Sequence, residues 1–363
     1  MKHLIRITIA CFISAFQLCY AAENYQTVLK FYGYFKLDMT YASALMAGDN
    51  YAKWVVADSD HPTANTNITV KQSRFGFNLD KGPIAGKLEV DFYGTGSSEN
   101  KAGIMLRKAY ADIKFKKFNL RAGQDSDLIS PLVPATHNYS VAWWAGNIGY
   151  RRPMLKLYHD NDVFDWSVAL ARNIGGDING DGLDDGSAGI LPEIQGRIAL
   201  NLRKRVMIGI SGHYGIEDTL GTDGKYTSWS GNLDVSVDIS PMVVFQGEAF
   251  IGSNLASKLG CIGNASTVDG IRTTGGWANL SIKIGTQTIT TFGISFENPD
   301  DNNLLDNART KNFMGFANFY HELVPGFKVG IEIAYWDTEY KNGYENLKNY
   351  EGIRGQFVFL YIL

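Results

Sequence analysis

The sequence predicts an all-β chain: a transmembrane antiparallel β-barrel of about 16 strands, with short periplasmic turns and long extracellular loops. Three observations carry that expectation. Apolar and polar residues alternate with a period of two through most of the chain, as in strands whose two faces meet different environments. The connections between these segments are alternately short and long. The final segment, residues 352–363, places Phe357, Phe359, Tyr361 and Leu363 at every second position, out of step with polar Arg354 and Gln356. An apolar strand without a neighbour is an aggregation edge, so its natural mate is the first strand, and pairing the two closes a barrel.

Composition agrees. No internal run of about 20 apolar residues exists, which excludes a transmembrane helix. Gly (39), Tyr (19) and Phe (20) are abundant and Pro (9) is scarce, as suits many short strands and turns. A net charge of −3 argues against a nucleic-acid partner. Residues 1–21 read as a secretory signal peptide: Lys2, His3 and Arg6 precede an apolar stretch from Leu4 to Leu18, and Cys19-Tyr20-Ala21 forms the cleavage site. Cleavage removes Cys11 and Cys19, so only Cys261 remains and no internal disulfide can form. Residues 22–363 are then a single exported domain, expected in the cell outer membrane against its lipid and lipopolysaccharide.

The elements follow in order. In residues 30–41, Phe31, Gly33, Phe35, Leu37, Met39 and Tyr41 share one face; Lys30, Tyr32, Tyr34, Lys36, Asp38 and Thr40 share the other. After a long polar stretch, Gln72, Arg74, Asn78 and Asp80 alternate with Phe75, Phe77 and Leu79. Beyond a turn at 81–83, Lys87, Glu89, Asp91 and Tyr93 alternate with Leu88, Val90 and Phe92. Residues 104–113 and 119–125 flank a tight turn, and 152–158 and 165–173 form the next pair. Glu193, Gln195, Arg197 and Asn201 oppose Ile194, Ile198 and Leu200. Ser211 and His213 oppose Val206, Ile208, Ile210 and Tyr214. The clearest alternation sets Ser228, Ser230, Asn232, Asp234, Ser236 and Asp238 against Trp229, Leu233, Val235, Val237 and Ile239. Gln246 and Glu248, then Asn279, Ser281 and Lys283, then Thr291, Ser295 and Glu297 mark three more polar rows. Residues 312–320, 328–338 and the terminal strand complete the set. Short connections fall near 81–85, 114–118, 159–164, 202–205, 240–241, 285–287 and 321–326. Long ones fall near 42–69, 95–103, 126–150, 174–190, 253–272, 298–310 and 339–349, and a modest one near 217–225.

The apolar rows almost lack ionisable residues, as a lipid face requires: Arg or Lys at the bilayer midplane costs about 2–4 kcal/mol there. The opposite rows hold too many charges to be buried dry. They need water, and about sixteen strands enclose an aqueous lumen. The residues expected to line it are Lys36, Asp38, Arg74, Lys87, Glu89, Asp91, Arg121, Asp125, Lys156, Arg197, Glu248, Lys283, Glu332 and Arg354. A soluble two-sheet sandwich would reverse the faces. Export, the bare aromatic terminus, the lack of disulfides and the strand number favour the membrane barrel.

Several segments resemble a known family. They are Phe31-Tyr32-Gly33-Tyr34-Phe35-Lys36-Leu37-Asp38, Gln72-Ser73-Arg74-Phe75-Gly76-Phe77 and Leu88-Glu89-Val90-Asp91-Phe92-Tyr93-Gly94, then Leu106-Arg107-Lys108-Ala109-Tyr110-Ala111-Asp112 and Leu120-Arg121-Ala122-Gly123-Gln124. Together they look like Gram-negative porins and are most similar to the DcaP-like trimeric group. The recognisable motifs lie mainly in the first 130 residues. The resemblance implies sixteen strands, a homotrimer, and passive diffusion of small hydrophilic solutes, often anions such as dicarboxylates. The chain departs from the pattern in ending on Leu363, where outer-membrane proteins usually end on Phe.

Residues 125–150 are the candidate constriction loop. Pro131 and Pro134 stiffen it, Trp143-Trp144 lie near its end, and by position it is the third long loop, which folds into the lumen in general porins. Asp125, Asp127 and His137 are expected to face Arg74, Arg121, Arg151 or Arg152 across the narrowest point, creating a transverse field. Asp177, Asn179, Asp181 and Asp185, with Gly182 for the turn, match the front of a Ca²⁺ loop, although Ala188 stands where the final acid belongs. A bound ion there would be structural; no cofactor is required. No metal-ligand spacing, nucleophile elbow or phosphate loop appears, so an enzyme is not expected. The alternative reading is a poorly conducting barrel whose long loops serve as adhesin or receptor.

Overall fold

The computed structural model describes residues 25–48, 50–57, 63–94, 101–173, 191–218, 225–342 and 346–363. The expected signal peptide, residues 1–21, and the candidate Ca²⁺ residues Asp177, Asn179, Asp181 and Asp185 lie outside these. Among the described residues, seventeen strand segments form a single sheet. They are β1 (Val28–Ala42), β2 (Asn65–Thr69), β3 (Arg74–Lys81), β4 (Ile84–Gly94), β5 (Gly103–Lys114), β6 (Asn119–Ser126), β7 (Arg151–His159), β8 (Phe164–Ala171) and β9 (Glu193–Leu202). There follow β10 (Val206–Asp218), β11 (Lys225–Ser240), β12 (Val243–Ser253), β13 (Arg272–Ile284), β14 (Thr288–Pro299), β15 (Arg309–Val324), β16 (Phe327–Asn342) and β17 (Asn346–Ile362). Each strand pairs antiparallel with its chain neighbours. β2 and β3 both pair with β1, Thr69 opposite Asp38 and Arg74 opposite Tyr34, so they are two halves of one interrupted strand and the barrel has sixteen.

The terminal strand closes the barrel on the first. Tyr34 pairs with Ile362, Asp38 with Val358 and Ala42 with Arg354. The sheet thereby closes on itself, the condition for strands to cross lipid. Seven connections at one end span two to four residues, between β3 and β4, β5 and β6, and so on in alternate pairs to β15 and β16. The long loops lie at the other end. The expected long loop at 339–349 is shorter: β16 reaches Asn342 and β17 begins at Asn346.

Outward positions are exposed and apolar all round the barrel: Phe31 and Phe35 on β1, Leu155 on β7, Ile210 on β10, Leu233 on β11, Ile251 on β12, Ile294 on β14 and Ile333 on β16. A continuous apolar belt of this kind belongs in lipid. Replacing mid-strand Leu233 by Arg should destabilise the folded barrel by about 2–4 kcal/mol, the cost of a guanidinium on the lipid face. Urea titration in bilayers measures it; a loss below about 0.5 kcal/mol would place β11 elsewhere than in hydrocarbon. Among the aromatic residues, Tyr214 and Tyr335 face out, whereas Tyr158 and Trp277 are buried inside.

Candidate functional site

The barrel interior is not an open tube. Three long connections fold back into it. Residues 127–150, between β6 and β7, run across the lumen and are fastened strand by strand. Leu128 N–H donates to Gln195 Oε1 on β9 (2.7 Å), Leu132 N–H to Glu248 Oε1 on β12 (2.7 Å) and Ala135 N–H to Asn279 Oδ1 on β13 (3.0 Å). Ser130 Oγ also donates to Glu248. The tip is held by Glu332 on β16, which accepts from Thr136 Oγ1 at 2.8 Å and from His137 N–H at 2.6 Å. Lys36 Nζ on β1 and Gln356 Nε2 on β17 donate to the His137 carbonyl at 2.9 and 3.1 Å. At the loop's return, Gly146 has φ +112° and sits against the strands: a Cβ there would meet the Gly276 carbonyl oxygen at 2.2 Å, so only glycine fits.

Two more loops pack behind it. The connection after β1 brings Ala44, Met46, Ala52 and Val55 against Ala142 and Ala145 of the central loop and against Met314, Phe316, Ala334 and Trp336 of the wall. Ser140 Oγ donates to Ala52 O at 2.6 Å, and Tyr340 OH to Val55 O at 2.7 Å. The connection between β12 and β13 packs Leu255, Cys261 and Ile271 against Ile129 and Ile148. This filling accounts for apolar residues on the inner face of β15 and β16, where Phe313 and Tyr335 point out while Met314, Phe316 and Trp336 point in.

The fourteen expected lining residues all lie at inward register positions, but they meet different surroundings. Lys36, Asp38, Glu248, Glu332 and Arg354 are buried under the folded-in loops and do not line water. Lys36 pairs with Asp38 at 3.0 Å, Gln356 bonds Asp38 at 2.6 Å, and Arg354 donates to Gln356 at 2.6 Å. They serve as anchors, because loop atoms replace the water that a bare lumen would supply. Asp91 is likewise covered, by Arg107 (2.6 Å) and Tyr139 OH (3.0 Å). Lys283 is exposed beside the β13–β14 turn, at the mouth.

The other expected residues form a basic wall on β3 to β9. Glu89 is surrounded by Arg107 (2.9 Å), Arg74 (3.8 Å) and Lys87 (3.9 Å), and accepts from Tyr32 OH. Arg121 holds Asp112 through two hydrogen bonds at 2.7 and 2.8 Å, also binds Asp125, and stacks on Tyr110 at 3.6 Å. Lys108 reaches Asp125 at 2.8 Å, and Arg197 reaches Asp234 at 2.6 Å. Lys156 lies 4.7 Å over Tyr158. Within these pairs the carboxylates are 8% exposed or less, whereas the cations are 13–27% exposed. The more accessible partner of each pair is therefore the cation, although the residue list is nearly balanced. Asp125 and Asp127 do meet two of the expected arginines, Arg121 and Arg152, but as close neighbours rather than across the passage. Asp125 binds Arg121 of its own strand, and Asp127 takes a paired contact from Arg152 at 2.5 and 3.0 Å. His137 is buried against Tyr320 at 4.0 Å.

Two cations of this wall escape a strict period-two reading. Opposite β4, Glu89 pairs with Lys108 but Val90 pairs with Leu106, so Arg107 is a bulged residue. A bulge spends one extra residue and turns neighbours to the same side. Arg107 and Lys108 both reach inward carboxylates as a result. Two adjacent basic residues within an otherwise alternating strand were the readable signal. Between this wall and the central loop lies a cavity of about 330 Å³, lined by Tyr34, Gln72, Arg74, Arg107, Thr136, Tyr139, Trp143 and Arg151 among others. Arg151 stands 4.9 Å from the Tyr150 ring and 5.8 Å from Trp143, with no carboxylate in salt-bridge range among the described residues.

A closed sixteen-stranded barrel with a long loop laid across its lumen is the architecture of porins. Known structures carry the likeness further. The outer-membrane channel DcaP of Acinetobacter baumannii superposes with a TM-score of 0.77 over 93% of this chain and 97% of its own, at 18% identity. An anion-selective porin from Comamonas acidovorans follows at 0.63, 12% identity, with 93% and 100% coverage. OmpT of Vibrio cholerae in its trimer form gives 0.58 at 11% identity, with 93% and 99% coverage. At these identities the likeness is one of fold. No protein-family model and no curated protein sequence matches the chain.

Proposed function

We propose that this chain is an outer-membrane porin: a homotrimeric, water-filled channel through which small hydrophilic solutes diffuse passively, without catalysis. The barrel sits among outer-membrane lipid and lipopolysaccharide and favours anions. One observation carries the preference. On β3 to β9, Arg74, Lys87, Arg107, Lys108, Arg121 and Arg197 stay partly accessible while the carboxylates they pair with are hidden. Fixed positive charge at a narrow passage raises the local concentration of anions and lowers that of cations. The cavity beside Arg74 and Arg151 suits solutes carrying more than one carboxylate, since two separate guanidiniums can each take one.

Reversal potential in asymmetric KCl tests this reading. The wild-type channel should prefer chloride, and the triple substitution of Arg74, Lys87 and Lys108 by Ser should abolish that preference. A cation-selective wild type would defeat the anion reading. A folded barrel with no conductance would favour the adhesin or receptor alternative instead.

A further inference from the structure

The loop between β12 and β13, residues 254–271, lies inside the barrel, wedged between the wall and the central loop. Its backbone carbonyls accept from that loop directly: Trp144 N–H donates to Leu259 O at 2.8 Å and Gly149 N–H to Lys258 O at 2.7 Å. The wedge is itself held under constraint. Leu259, Cys261 and Ile262 adopt φ of 61°, 54° and 48°, the left-handed region that a branched side chain such as Ile262 avoids. Such a conformation persists only where surroundings hold it. Here Glu297 on β14 accepts from Cys261 N–H at 2.5 Å.

The stronger hold is ionic. Lys258 is fully buried, with Nζ 2.7 Å from Glu193 on β9 and 3.5 Å from Glu217 on β10. Glu193 also binds Arg152 at 3.1 Å, and Arg152 binds Asp127 at 2.5 Å. Asp127 and Arg152 are the two roots of the central loop, where it leaves β6 and rejoins β7. A continuous dry chain of charges thus runs from the wedge to both roots. Of its members only Asp127 lines the cavity beside Arg151.

We infer that Lys258 is a positioning residue for the constriction: it locks the 254–271 wedge behind the central loop and so sets the size limit of the passage. This rests on the channel reading above. The physical reason is that the return of the central loop, residues 144–149, leans on the wedge through the Leu259 and Lys258 carbonyls, whereas its roots are already held by the β6–β7 ladder and by Asp127 N–H donating to Tyr150 O at 2.9 Å. Loosening the wedge lets that return segment shift and the passage widen, without substituting a group that faces solute.

Single-channel recording with graded polyethylene glycols tests it on the full barrel. Lys258→Met should raise conductance at least twofold, add flickering substates and admit larger polymers. The double variant Lys258→Met with Glu217→Gln removes one cation and one carboxylate together, so it folds without an added buried charge imbalance and should show the same change. Lys258→Arg should restore the wild-type cut-off. Folded double variants with wild-type conductance and polymer cut-off would overturn the inference, as would an Arg variant as perturbed as the Met variant. A silent wild type would instead defeat the channel reading on which this depends.

Discussion

Deleting residues 130–145 should raise single-channel conductance several-fold while leaving a folded barrel. The barrel does not need this loop to close. All strand pairings join neighbouring strands, and the seam between β1 and β17 carries nine residue pairs of its own. The deletion spares Asp127 and Arg152, so the dry ion pair at the loop roots survives. The groups it frees, Glu248, Asn279, Glu332 and Gln356, would meet water in the opened lumen, and hydration replaces the lost bonds. What remains is a wider aqueous path through sixteen strands. Planar-bilayer recording decides: an unchanged conductance would mean that the loop does not limit flow.

The second large effect is on stability. Arg152→Met should destabilise the barrel by about 3–5 kcal/mol, the usual cost of breaking a buried ion pair from one side. Arg152 is fully buried between Asp127 at 2.5 Å and Glu193 at 3.1 Å, and also donates to Ser257 O at 3.2 Å. Without it, three carboxylates, Asp127, Glu193 and Glu217, share the single cation Lys258 among the described residues. The internal control is the rim pair of Lys204 and Asp162 at 2.8 Å, whose side chains are more than 70% exposed. Lys204→Met should cost less than about 1 kcal/mol, because water screens the pair. Urea unfolding in detergent compares the two; equal losses would show that the Arg152 site is wet.

The strands were legible because alternation is local. A residue at an even or odd place in a strand faces one side by backbone geometry alone. Leu233 and Asp234 are therefore separable without any knowledge of neighbours, and the lipid and lumen faces of β11 follow. The bulge at Arg107 broke that rule at one place and hid two basic residues from a strict count. The roles of inward residues were less legible. Glu248 and Glu89 look alike in sequence, each alternating with apolar neighbours. In the structure Glu248 carries the loop through Ser130 and Leu132, while Glu89 sits in the basic wall. Nothing within either strand distinguishes them. The readable hint lay in β15 and β16, where Met314, Phe316 and Trp336 put apolar surface on the inner side. Apolar groups facing a lumen call for a cover other than water.

By itself the sequence placed Asn65–Thr69 in a loop and a long loop where β16 and β17 are closely joined, but it determined most of the strands, which face of each is apolar, the short connections, and the pairing of the last strand with the first. These depend on a period of two and on the cost of leaving an apolar edge open. Only the tertiary structure decided which inward charges are spent holding loops, and which partner of each lumen ion pair stays the more accessible. Those outcomes rest on contacts between residues far apart in the chain, such as His137 with Glu332 and Lys258 with Glu193. Long-range complementarity of this kind leaves no periodic trace, because each contact is formed once.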